Sequence, residues 1–156
     1  MMDNATSELM RAVEALTEAN RKLYALAYTD SLTGIHNRRY IEERTQGRGG
    51  FFVVADLNGF KQAQDAHPEG HRYGDRVLVE FAEFLLQSTR QGTDRIAARM
   101  GGDEFVVWCP SLEGAQRIYR LVQQWSSDDA RVSASAGVGS TMTEADASLY
   151  LCKKRR

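Results

Sequence analysis

Arg95-Ile96-Ala97-Ala98-Arg99-Met100-Gly101-Gly102-Asp103-Glu104-Phe105-Val106-Val107-Trp108-Cys109 is the stretch on which the reading of the fold turns. Residues 95–100 and 105–109 flank Gly101-Gly102-Asp103-Glu104, which predicts a β-hairpin with two glycines in its turn. Bare glycines in front of two acids let a ligand approach the backbone closely. Upstream, Phe51-Phe52-Val53-Val54-Ala55 is an apolar run of β-formers. It predicts a strand buried on both faces and ending at Asp56.

Working outward, Val77, Leu78, Phe81, Phe84 and Leu85 have helical spacing, as do Ala115, Ile118, Tyr119, Val122 and Trp125. Val132 to Val138 reads as a further strand, and Ala145 to Lys153 as a closing helix. His36-Asn37-Arg38-Arg39-Tyr40 opens a short helix after the turn Ser31-Leu32-Thr33-Gly34. Residues 57–75 contain Gly59, Pro68, Gly70 and Gly74, so a loop with at most one short helix is expected. This order predicts an α/β (α+β) sandwich, a mixed sheet covered by helices, with connecting loops gathered at one end.

From Ser7 to Tyr28 the chain lacks Gly and Pro, and Leu9, Ala12, Leu16, Ala19, Leu23 and Leu26 step by three and four. That is a short heptad seam. Residues 1–29 are therefore read as a linker or signalling helix and 30–156 as the functional domain. The helix either leans on its own domain or pairs with a second chain as a short coiled coil. Residues 1–29 are too few for a sensor domain, so control is expected from helix pairing, a partner or a longer parent chain.

The bulk numbers are those of one soluble domain: 156 residues, 42% hydrophobic, 26% charged, net charge -1. A near-neutral balance argues against a nucleic-acid polymer as partner. No apolar run approaches the roughly 18 residues of a membrane span, and Met1-Met2-Asp3-Asn4 has no signal-peptide pattern. A cytoplasmic location is expected. Cys109 and Cys152 show no ligand spacing and read as small apolar core residues, and Trp108 and Trp125 fall on core periodicity. His36, His67 and His71 form no metal-ligand pair.

If the strand ending at Asp56 neighbours the hairpin, Asp56, Asp103 and Glu104 converge. Such acids are costly unless solvated or paired, and a hard divalent cation with oxygen ligands resolves their repulsion, magnesium best. Two such ions can activate a hydroxyl and stabilise a leaving pyrophosphate. Taken singly, Asp56 and Asp103 each read first as an ordinary solvated loop acid, and it is the glycines before the second that shift the balance. Asn58-Gly59-Phe60-Lys61 adds backbone N–H donors and a cation suited to phosphate.

These segments resemble the GGDEF diguanylate cyclase family. Gly101-Gly102-Asp103-Glu104-Phe105 matches its signature. In the family's order stand Asp30-Ser31-Leu32-Thr33-Gly34-Ile35-His36-Asn37-Arg38-Arg39, Asp56-Leu57-Asn58-Gly59-Phe60-Lys61, Gly70-His71-Arg72-Tyr73-Gly74-Asp75, and Ala145-Asp146-Ala147-Ser148-Leu149-Tyr150 with Lys153. The resemblance implies a ferredoxin-like core similar to the palm of polymerases and adenylyl cyclases. It implies that two GTP are condensed into cyclic di-GMP with release of two pyrophosphates. Two magnesium or manganese ions would sit in each active site. Asp56, Glu104 and the Leu57 carbonyl would be metal ligands, with Asp103 beside the reacting 3′-hydroxyl as ligand or general base. Asn58, Gly59, Phe60, Lys61 and Lys153 would hold the triphosphate against the Gly101-Gly102 turn, and Gln64 and Asp75 would read guanine. Each domain would hold one GTP, so a homodimer is part of the mechanism.

The chain departs from the family pattern in three places. Gln64 stands where the family usually has Asn. Ala66-His67-Pro68-Glu69 puts four residues between Asp65 and Gly70, where the family generally has two. Gly92 and Arg95 occupy the positions of the product-inhibition motif, whose Arg and Asp are displaced to Arg90 and Asp94, so weak or absent product inhibition is expected. The chain ends in Lys153-Lys154-Arg155-Arg156 in place of a Gly-Arg-Asn continuation, and its last two arginines read as a solvated tail. The alternative function is a catalytically weak or inactive domain acting as a GTP-binding regulatory or dimerisation module. A cyclase with relaxed base choice is a third reading. Asp75 argues against it, since adenine lacks guanine's paired N1–H and amino donors.

Overall fold

The computed structural model of the chain describes residues 4–90 and 94–154. Its elements are α1 (Asn4–Tyr28), β1 (His36–Asn37), α2 (Arg38–Thr45), β2 (Phe51–Asn58), α3 (Phe60–Ala66), α4 (His71–Arg90), β3 (Ile96–Gly101), β4 (Glu104–Cys109), α5 (Leu112–Gln124), β5 (Ser133–Gly139) and α6 (Met142–Lys154). They build one five-stranded sheet in the order β1-β3-β4-β2-β5. The pairings β3–β4, β4–β2 and β2–β5 are antiparallel, and β1 adds a parallel edge to β3. Strand–helices–hairpin–helix–strand with this order is the ferredoxin-like arrangement, with helices on both faces.

The apolar run of β2 is central because both its faces are covered. Val53, Ala55 and Leu57 join Phe81, Leu85, Phe105, Ile118 and Val122 beneath α4 and α5. Phe52 and Val54 join Ile41, Val106, Trp108, Ala145 and Leu149 beneath α2 and α6. Phe81 is fully buried, with its ring edge-on to Phe105 at 4.9 Å and to Trp125 at 4.7 Å. Trp108 is buried and Trp125 packs half-buried against the first core, as their periodicity predicts. Cys109 is a buried core residue whose thiol is pushed up to about 11 by burial, and Cys152 is half-buried and accepts from Gln123.

Of three local expectations, two are corrected and one that was left open is narrowed. Residues 57–75 are mostly regular: β2 runs on through Asn58, α3 fills 60–66, and α4 begins at His71. Tyr73, Val77 and Leu78 are already core residues, so packing outweighs the helix cost of Gly74. Second, His36 lies on β1, and the helix opens at Arg38 with Asn37 as its cap, accepting from the Tyr40 N–H at 3.0 Å. A two-residue strand has no periodicity to read; β1 exists because β3 pairs with it. Third, α1 buries no residue, and Leu9, Leu16, Leu23 and Leu26 are 66%, 66%, 63% and 80% exposed. The domain therefore leaves the heptad seam uncovered. The C-terminal end of α1 is tied down where Tyr28 donates to Glu43 at 2.7 Å and stacks edge-on to Tyr40. Among the described residues, no helix is long and apolar enough to cross a membrane.

Candidate active site

The register of β2 against β4 sets Asp56 directly opposite Glu104 and Val54 opposite Val106. Asp56 and Glu104 thus continue the face beneath α6, one step beyond its apolar rows. The closing pair of the hairpin is Gly101 with Glu104, which leaves Gly102-Asp103 as the loop. Gly101 (φ 141) and Gly102 (φ 53) adopt conformations that side chains resist, and a Cβ at either would meet nothing within 4 Å. Their role is conformational, and the surface before them is open.

Charge at this corner is dense. Lys153 of α6 donates to Asp56 Oδ1 at 2.5 Å. Asp103 is half-buried, and its carboxyl is raised above the ordinary range by burial and by the Asp56 charge, against opposing pulls from its own backbone N–H, Lys153 and Arg99. Among the described residues no three His, Cys, Asp or Glu side chains are grouped as a ready metal cage. The donor set is two facing carboxylates with Asp103 adjoining. That fits a cation that takes one or two protein carboxylates and completes its shell with phosphate oxygens and water.

Leu57, Gly59, Phe60, Lys61 and Asp103 line one cleft of about 520 Å³, together with Gln62 and Asp65. At its wall α3 begins after Gly59 (φ 73), an N-cap with no side-chain hydrogen bond. The first N–H groups of that helix are not satisfied by a cap, which suits an anion. The Asn58 side chain turns to β5, donating to Ser133 Oγ at 3.2 Å and Ser135 Oγ at 2.9 Å. It braces the strand end.

The guanine-segment residues are placed elsewhere. Asp75 is exposed and lines a second cavity, about 600 Å³, with His67, Tyr73, Arg76, Glu80 and Asp129 among its walls. Gln64 is half-buried between α3 and α4. The displaced Asp94 pairs with Arg48 at 2.5 Å, and Arg95, at a product-inhibition position, packs at Gly114 near the start of α5. Gly92, the Arg90 side chain, Arg155 and Arg156 lie outside the described residues.

Sequence reasoning missed Arg99. Its Nε and Nη2 donate to Gly102 O at 2.9 and 2.7 Å, and its Nη1 reaches both carboxylate oxygens of Asp30 at 3.2 Å. Asp30 also accepts the Thr33 N–H and hydroxyl, at 2.9 and 2.7 Å. One guanidinium thus clamps the glycine turn to the turn that follows α1. The available signal was a lone charge inside a strand, two residues before Gly101. Burial alone would raise the Asp30 carboxyl, but Thr33 and Arg99 outweigh it and hold it below its ordinary value.

Arg99→Ala is expected to cost on the order of 1–3 kcal/mol, because it leaves a partly buried carboxylate without its charged partner. Equilibrium urea unfolding at neutral pH measures this. For a depressed carboxyl, the stabilisation is present above the unfolded pKa of about 4 and is lost as pH falls through the lower folded value. The stability gap between the natural protein and Asp30→Asn should therefore close as pH falls below about 4. A gap that is constant with pH would remove Asp30 as the linked group.

A family model described as "Diguanylate cyclase, GGDEF domain" matches residues 27–156. The bifunctional diguanylate cyclase/cyclic di-GMP phosphodiesterase MucR of Pseudomonas aeruginosa is 35% identical over 167 residues, covering 89% of this chain and 24% of MucR. Diguanylate cyclase DgcP of Escherichia coli is 40% identical over 112 residues, covering 66% of this chain and 32% of DgcP. The chain thus spans a quarter to a third of these relatives. Among solved structures, the coiled coil and GGDEF domain of DgcB from Caulobacter crescentus, in complex with c-di-GMP, superposes with a TM-score of 0.78. At 24% identity it covers 97% of this chain and 93% of that one, and the likeness is one of fold.

Proposed function

Because this chain belongs to the GGDEF domain family, we propose that it is a diguanylate cyclase, joining two GTP into cyclic di-GMP and releasing two pyrophosphates. The observation that carries this reading is the facing pair Asp56 and Glu104, set beside a cleft that Lys61, the start of α3 and Asp103 line together.

Asp56, Glu104 and the carbonyl of Leu57 would hold magnesium or manganese, two ions per site. When bound, the ions lower the pKa of the attacking hydroxyl and neutralise the leaving pyrophosphate. Asp103 lies against the same cleft with a carboxyl raised by burial and by Asp56. That suits it to accept the proton of a 3′-hydroxyl as this oxygen bonds the α-phosphorus and the bond to pyrophosphate breaks. Lys61 and the first N–H groups of α3 bind the phosphates, with Gly59, Phe60 and the bare Gly101-Gly102 turn giving them room. Lys153 reaches the same corner from α6. Gln64 and Asp75 read the base. One domain holds one GTP, so two copies must face each other for each 3′-hydroxyl to reach the other's α-phosphate.

A second reading, a GTP-binding regulatory or dimerisation module with little turnover, is favoured by one observation. Asp75 lines the cavity of His67 and Asp129, apart from the cleft of Lys61 and Asp103. Incubation with GTP and magnesium, followed by chromatography for cyclic di-GMP and pyrophosphate, separates the two. Product formation supports the cyclase; intact GTP binding with no product at high protein concentration supports the module.

The exposed seam of α1 supplies a route to pairing. Leu16→Glu with Leu23→Glu buries like charges in any paired seam. It is expected to lower turnover about tenfold or more at micromolar protein, with recovery as protein concentration rises. Turnover per molecule that is equal in both proteins across a dilution series would exclude α1 from the dimer.

A further inference from the structure

β5 reads Ser133-Ala134-Ser135-Ala136-Gly137-Val138-Gly139, a strand of small residues in which two hydroxyls alternate with buried alanines. Ser135 is itself fully buried. Across the β2–β5 pairing it stands directly opposite Asp56, and Ser133 stands opposite Asn58. Register partners of an antiparallel pair share a face, and residues along a strand alternate between faces. Both serines therefore lie on the face of Asp56, beneath α6.

A buried hydroxyl needs a hydrogen-bond partner. That of Ser135 takes both ends of one amide: its Oγ accepts from Asn58 Nδ2 at 2.9 Å and donates to Asn58 Oδ1 at 3.1 Å. Ser133 Oγ accepts from the same nitrogen at 3.2 Å. What this link holds follows from the next residues of the chain. Asn58 ends β2, Gly59 (φ 73) is the joint, and α3 begins at Phe60 with no side-chain cap. A glycine joint has the widest conformational freedom of any residue, so the direction in which α3 leaves the sheet has to be set by the groups beside it. Asn58 is the side chain immediately before that joint, and it is fastened to the buried core of a neighbouring strand.

We infer that Ser135 is a positioning residue for the nucleotide phosphates, acting through Asn58: its buried hydroxyl fixes the end of β2, and with it the angle at which the start of α3 meets a triphosphate. This rests on the reading of the cleft of Lys61 and Asp103 as the phosphate side of a GTP site. Asn58 then serves the phosphates as a link between β5 and the joint, not as a direct contact.

The test compares the natural protein, Ser135→Ala, Asn58→Ala, the two combined, and Ser133→Ala. The probe is a GTP analogue with a methylene group between the α- and β-phosphorus atoms, which cannot release pyrophosphate. Its Kd in magnesium is measured by calorimetry well below each melting temperature. Ser135→Ala should raise that Kd about tenfold, the scale of one hydrogen bond. KM for GTP should rise by the same factor with kcat nearly unchanged, because the carboxylates of the metal corner are intact. Asn58→Ala should match Ser135→Ala. The double variant should be no weaker than either alone, as expected when one residue acts through the other. Ser133→Ala removes the longest of the three bonds and should change Kd less than Ser135→Ala does. Asn58 is half-buried, so Asn58→Ala carries the test where Ser135→Ala folds poorly. Unchanged affinity in Ser135→Ala or in Asn58→Ala, whatever the melting temperature, overturns the inference while the GTP reading stands. A double variant whose loss is the product of the two single losses does the same. Failure of the natural protein to bind the analogue at all overturns the GTP reading and the inference with it.

Discussion

Asp56→Ala and Glu104→Ala should each reduce cyclic di-GMP formation by about a thousandfold or more, the scale expected when a metal-held transition state loses a ligand. The pair are register partners on the neighbouring strands β2 and β4, so each replacement removes one of the two facing carboxylates. Neither change should unfold the protein. Asp56 is half-buried, Glu104 is exposed, and the ion pair from Lys153 to Asp56 joins side chains 39% and 20% exposed. Such pairs contribute about 1 kcal/mol or less. Product chromatography beside a thermal melt checks both parts. Substantial turnover in either variant would remove that residue from the metal site, and a collapsed melt would mean the acid is structural.

The second large effect is expected on the neighbouring strand β5. Gly137 lies on β5 directly under α6, and a Cβ there would run into the Ala145 carbonyl oxygen and the Leu149 N–H, with Leu149 Cα at 2.8 Å. These are backbone atoms of a helix and have no rotamer to yield with. Gly137→Ala should therefore lift α6 from the sheet at a cost of about 3 kcal/mol, a melting temperature lower by roughly 10 °C for a chain of this size. Because Lys153 rides on α6 and reaches Asp56, activity should fall with stability. A variant that melts with the natural protein would show that α6 can shift without cost.

Much of the site could be read in advance. Asp56 at a strand end, Asp103 and Glu104 at a glycine turn and Lys61 after Gly59 are local patterns, and the structure brings all of them to one corner. Arg99 was invisible as a clamp because its distant partner, Asp30, is brought to it by the parallel pairing of β1 with β3. That pairing brings distant segments together and leaves no periodic trace. The segment from 57 to 75 was misread for a related reason. Its glycines and proline look like breakers taken singly, yet Gly59 and the short turn through Pro68 and Gly70 only separate regular elements, while Gly74 lies inside α4 against Gln64.

The sequence by itself determined the alternation of elements, the two-faced burial of β2, the hairpin and the identity of the acids, because each depends on the period and chemistry of a few neighbouring residues. Only the tertiary structure decided which acids face each other, that Asp75 lines a cavity apart from Lys61, and that the seam of α1 is left uncovered. Those outcomes depend on strand register and helix contact between segments far apart in the chain. A one-residue slip of β2 against β4 would have sent Asp56 to the opposite face from Glu104.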